Sequence, residues 1–126
     1  MSARVVHFEV PFDDADRARS FYRDVFDWQI QSMPEMAYHL VSTGPATDQG
    51  MPSEPGYIGG GMLQRQPPVN APVITLQVDD IDATLVLVDK HGGTAIGEKM
   101  PVGDMGFAAY FNDSEGNIMG LWQTAG

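Results

Sequence analysis

The chain has 126 residues, 43% apolar, 19% charged and 10% aromatic, a composition that predicts one compact globular domain long enough to bury a core. Seventeen acidic residues against seven basic ones leave a formal net charge of −10, which argues against nucleic acid or an anionic membrane surface as a partner, because both would be repelled. The absence of cysteine excludes disulfide scaffolds, thiolate metal sites and cysteine nucleophiles. No stretch approaches the ~20 apolar residues that span a bilayer, and no apolar signal region precedes the first strand-like pattern, so a cytoplasmic protein is expected.

The first pattern is an alternation, Val6, Phe8 and Val10, that predicts a strand with an apolar face. Phe12-Asp13-Asp14-Ala15-Asp16 follows, and after it Ala18, Phe21, Tyr22 and Val25 fall at i, i+3, i+4, i+7, the spacing of one helix face. Strands are then expected over about 28–32, 37–42 and 58–64. The loop 44–56, rich in Gly, Pro and polar residues, is long for a hairpin connection, as loops over sites often are. A linker at 65–72 carries Pro67-Pro68. Beyond it the pattern starts again. Ile74, Leu76 and Val78 alternate, and Val78-Asp79-Asp80-Ile81-Asp82 falls on the first Asp cluster after a shift of 66 positions, which carries Phe12 onto Val78. Ile81, Leu85 and Val88 mark a second helix, closed by Gly92-Gly93, with His91 as a last-turn residue at its C-terminus. Strands over about 95–100, 107–112 and 118–123 complete the copy. Each Asp cluster is read as an N-cap with further acids at the positive end of the helix dipole. The chain is thus one domain, 1–126, of two βαβββ modules at about 4–65 and 70–124.

Val5-Val6-His7-Phe8, then Ser20-Phe21-Tyr22-Arg23-Asp24-Val25-Phe26 with Trp28, and finally Phe111-Asn112-Asp113-Ser114-Glu115-Gly116-Asn117 resemble the opening and closing segments of the vicinal oxygen chelate superfamily, which includes glyoxalase I, bleomycin-resistance proteins and extradiol dioxygenases. Ser114 stands where proline is usual. The resemblance implies an α+β fold whose two modules form a curled mixed sheet around a ligand-binding cleft, and a homodimer.

It also implies where a metal would sit. The family's four ligand positions carry over to His7, Gly61, Val73 and Gly120, of which only His7 has a donor atom, so a cage of the family type cannot form and no cofactor is expected. One rescue is conceivable: His7 and Glu9, two apart on the first strand, joined by His39 into a two-His, one-carboxylate set. Alternation from these positions makes His7, Glu9, His39, Gly61, Val73, Thr75, Gln77, Gly120 and Trp122 the candidate ligand-binding residues, with Trp28 more remote. His7 is also a candidate general acid or base, because its ordinary pKa lies near working pH. Other chemistry fails on the residues. Glu98 takes the place a phosphate-binding loop needs for lysine in Gly92–Lys99, and no Gly-x-Ser-x-Gly elbow exists. The expected function is metal-free binding of a small organic molecule. The alternative is a metal-dependent lyase, isomerase or dioxygenase using His7 with a non-standard ligand set and a divalent metal.

Overall fold

In the computed structural model, which describes residues 2–48 and 51–126, the chain runs β1 (Val5–Phe12), α1 (Ala15–Phe26), β2 (Gln29–Met33), β3 (Tyr38–Ser42), β4 (Gly60–Gln64), β5 (Val73–Gln77), α2 (Ile81–Lys90), β6 (Thr94–Val102), β7 (Gly106–Asn112) and β8 (Ile118–Thr124). This is the α+β class with two βαβββ modules that the repeat predicts. The chain divides into two compact units, residues 7–72 and residues 1–6 with 73–126.

Within the first unit the strand order is β2-β3-β4-β1, antiparallel except for the parallel pair β4 and β1. The Asp14 carboxylate caps α1 by accepting from the Arg17 N–H at 3.0 Å, and Asp27 ends the helix in the left-handed conformation. One face of the strands buries Phe12, Val41 and Met62 against Ala15, Ala18 and Tyr22 of α1, with Phe8, Val10, Trp28 and Ile30 around them. The helix seats itself differently from its sequence periodicity. Ala15, Ala18 and Tyr22 form the stripe packed against the core, whereas Phe21 and Val25, expected on it, are more than half exposed. The small alanines let the helix approach the sheet, and the bulkier side chains take its flank. Trp28 stacks on Tyr22, ring centroids 4.5 Å apart. A single 3-10 turn at Pro34–Met36, closed by Ala37 at φ 51, makes a tight β2–β3 connection. Of the long loop expected at 44–56, residues 49 and 50 lie outside the described residues. Its two ends are tied by an isolated bridge between Ala46 and Pro52 and by the Ser53 N–H donating to the Pro45 carbonyl at 3.1 Å.

Within the second unit the order is β5-β8-β7-β6, with β5 and β8 parallel. Asp80 caps α2 by accepting from the Ala83 N–H at 3.1 Å, so the repeated Asp clusters do supply the caps. Ile81, Ala109, Phe111 and Leu121 are buried, with Leu76, Val78, Leu85, Val88 and Met119 packed on them. Ile74 is 47% exposed although it shares strand parity with Leu76 and Val78. Strand β6 continues through Met100-Pro101, where the sequence predicts a stop. It ends the strand order and pairs only with β7 in this unit, and an edge strand accommodates the missing proline N–H.

Candidate functional site

Strand β4 lies between β3 and β1, with Leu40 of β3 and Glu9 of β1 both in register with Gly61. Side chains in register point to one face of a sheet, and so do residues two apart along a strand. Tyr38, Leu40, Gly61, Glu9 and His7 therefore share the face turned away from α1. A tyrosine on β3 meets a residue on β1 only by passing over the strand between them, and strands are ~4.8 Å apart. Gly61 permits that passage: a Cβ there would coincide with the Tyr38 hydroxyl and the end of its ring.

The phenol consequently reaches both polar residues of β1. Its hydroxyl donates to Glu9 Oε2 at 2.8 Å and lies 2.8 Å from His7 Nε2. The His7 and Tyr38 rings are nearly parallel, 18° apart. Glu9 is 7% exposed, a depth at which carboxylates are rare unless hydrogen-bonded or paired. Burial lowers the pKa of His7 below 6.5, and the nearby Glu9 charge offsets part of that effect, so the imidazole is neutral at neutral pH.

His39 does not join this group. It precedes Leu40 by one residue and so projects from the opposite face of β3, the one that buries Val41 against α1. There its ring lies 5.5 Å from Phe12. Its Nδ1 is sealed from solvent without a hydrogen-bond partner. Burial, and then Arg19, lower its pKa, with Asp16 acting the other way. The set of His7, Glu9 and His39 is thus corrected to His7, Glu9 and Tyr38. Strand parity carries the signal for Tyr38: with Val41 in the core, His39 must share its face and Tyr38 must not.

The other candidates lie on the second module. Thr75 of β5 is in register with Gly120 and Gln77 with Trp122 of β8, so these four share a face, and Val73 shares it by parity. Met119 and Leu121 take the core side, as the alternation predicts. Val73 and Thr75 are buried. A Cβ on Gly120 would come within 2.7 Å of Thr75 Oγ1, so here too a glycine faces a polar side chain of a neighbouring strand. The Trp122 indole N–H donates to Thr124 Oγ1 at 3.2 Å, and the Gln77 amide donates to the same oxygen at 3.4 Å. A shallow groove beside α1, lined by Asp16, Arg19, Ser20, Arg23 and Trp28 among others, contains none of the candidate residues.

The family metal does not fit these residues. Gly61, Val73 and Gly120 offer no donor side chain, and Tyr38 fills the space a side chain at 61 would need. Among the described residues no cluster of three or more His, Cys, Asp or Glu is arranged to hold a metal ion.

Two βαβββ modules, each with one helix on a mixed four-strand array, define the glyoxalase-type class of α+β folds. Residues 4–44 match the family described as bleomycin resistance protein-like N-terminal. A glyoxylase-like domain-containing protein of Didymella fabae is 28% identical over 122 residues, covering 93% of this chain and 91% of that protein. The proposed glyoxylase CFP32 of Mycobacterium tuberculosis is 30% identical over 115 residues, 87% of this chain, but this chain spans only 41% of its length. Among solved structures, a Streptomyces coelicolor methylmalonyl-CoA epimerase superposes with a TM-score of 0.65 at 17% identity and full coverage of both chains. A glyoxalase/bleomycin resistance protein/dioxygenase superfamily member from Vibrio splendidus superposes at 0.60 with 16% identity, covering 98% of this chain and 99% of that one. Together these likenesses support the resemblance of the chain to the vicinal oxygen chelate superfamily.

Proposed function

We propose that the protein binds a small organic molecule without the metal of its superfamily, on the face of the first module that carries His7, Glu9, Tyr38 and Gly61. The observation that carries this reading is the hydrogen-bonded chain from His7 Nε2 through the Tyr38 hydroxyl to Glu9 Oε2. In a metal-dependent relative the first-strand residue is a ligand. Here its Nε2 is engaged by a phenol that stands over Gly61. Such a chain of polar groups is costly to bury unless satisfied, and a partly buried imidazole beside a carboxylate is the kind of group found at ligand sites. The likeness to bleomycin resistance proteins over residues 4–44 supports binding of this kind. Val73, Thr75, Gln77, Gly120 and Trp122 are further proposed ligand-binding residues, on the second module.

Native mass spectrometry and elemental analysis of protein purified without an affinity tag test the reading. A small organic molecule retained by the wild type and lost from Tyr38→Phe is the expected result. One zinc, nickel, iron or manganese per chain would overturn it and favour the metal-dependent enzyme.

A further inference from the structure

Resting on that reading of the site, we infer that Tyr38 and Glu9 hold His7 as the Nε2–H tautomer, so that Nδ1 is the atom offered to a ligand, and that the ligand class is a molecule presenting an O–H or N–H donor.

The argument is a count of protons. A phenol has one hydroxyl proton, and that of Tyr38 is directed at Glu9 Oε2, an oxygen that accepts. Toward His7 Nε2, 2.8 Å away, the phenol oxygen can then only accept through a lone pair, so the ring must donate from Nε2. A neutral imidazole has one N–H, so placing it on Nε2 leaves Nδ1 as a bare lone pair. The neutral state follows from the burial of the ring. Nδ1 has no hydrogen-bond partner among the described residues. Reversing the chain would require the phenol to donate to His7 and two acceptors, Tyr38 Oη and Glu9 Oε2, to face each other at 2.8 Å without a proton between them. Tyr38 and Glu9 are thus positioning residues, and His7 is the group that touches the ligand.

Two measurements decide the matter. Long-range proton–nitrogen NMR of the imidazoles reads the tautomer directly. The wild type is expected to show His7 protonated on Nε2 and bare on Nδ1, and Tyr38→Phe to lose that fixed assignment, an effect that a merely structural tyrosine would not produce. A protonated Nδ1 in the wild type overturns the inference. The ligand class is tested with 4-methylphenol against 1,4-dimethylbenzene, which replaces the hydroxyl by a methyl group of similar size. The phenol is expected to bind roughly tenfold more tightly, about the factor that one buried hydrogen bond commands, and His7→Phe to abolish the preference. Should His7→Phe fail to fold, Tyr38→Phe serves in its place, with a reduced preference expected. Equal binding of the two probes, no binding of the phenol at millimolar concentration, or a preference that survives in the variant overturns the inference. If the molecule retained by the native protein has no O–H or N–H group, this inference fails while the binding function stands. If nothing is retained and a metal is found, the binding function itself fails.

Discussion

The hydroxyl of Tyr38 stands where the side chain of residue 61 would begin, and it can stand there only because that residue is glycine. Gly61→Ala should therefore do more than fill space. The new methyl must expel the phenol, breaking its contacts with His7 and Glu9, at a cost of about 1–3 kcal/mol, the usual range for overpacking a fitted interior. Chemical denaturation of Gly61→Ala, Tyr38→Ala and the double variant checks the relationship. The double variant should be less destabilised than the sum of the two singles, because the methyl then has nothing to expel. Full additivity would show that the two residues do not share this space.

Tyr38→Phe keeps the ring and removes only the hydroxyl. Glu9 and His7 then lose a common partner at a buried position, and about 1–3 kcal/mol of stability should go with it. Leu40→Ala, on the same face of the same strand, provides a control for packing alone. Unlike Tyr38→Phe, it should leave the imidazole tautomer of His7 unchanged.

The two half-buried histidines make stability depend on pH in one direction. Both have folded-state pKa values below the ordinary 6.5, His7 through burial and His39 through burial and then Arg19. The unfolded chain therefore takes up protons first as pH falls. Their contribution is fully present above about pH 6.5, declines below it, and levels off only under the lowered folded values. Urea unfolding from pH 8 to pH 5 should show this decline, and His7→Asn should flatten part of it. A stability that rose on acidification from pH 7 to 6 would contradict the burial of both rings.

Asp14 and Asp80, one from each Asp cluster, act as helix caps. Asp14→Ala and Asp80→Ala should each cost about 1 kcal/mol, since each carboxylate accepts from the backbone N–H three residues on. Asp14→Asn and Asp80→Asn should recover most of the loss, because asparagine caps as well. Calcium should not shift the thermal midpoint of the wild type. A midpoint that climbs with added calcium and stops climbing in the Asp14→Asn variant would reverse this assignment.

The sequence by itself determined the architecture. The shift that carries Asp14 onto Asp80 marks two helix starts. The alternation before each start and the glycines after the second helix place the remaining elements, because caps, periodicity and turn chemistry are local properties of the chain. The side of β8 that carries Gly120 and Trp122 was legible for the same reason. What the tertiary structure alone decided was which side chains meet. His39 has the chemistry of a ligand, yet the strand's pleat turns it toward α1 and its neighbour Tyr38 away from it. Phe21 and Val25 match a helical period, yet Ala15 and Ala18 let the helix sit closer on the other flank. Tyr38 meets Glu9 and His7 only because strand order puts β4 between β3 and β1 and register puts a glycine at the crossing point. Strand order and register are set by long-range pairing, so Tyr38, 31 and 29 residues from His7 and Glu9, joins them in one hydrogen-bonded group that no local pattern announces.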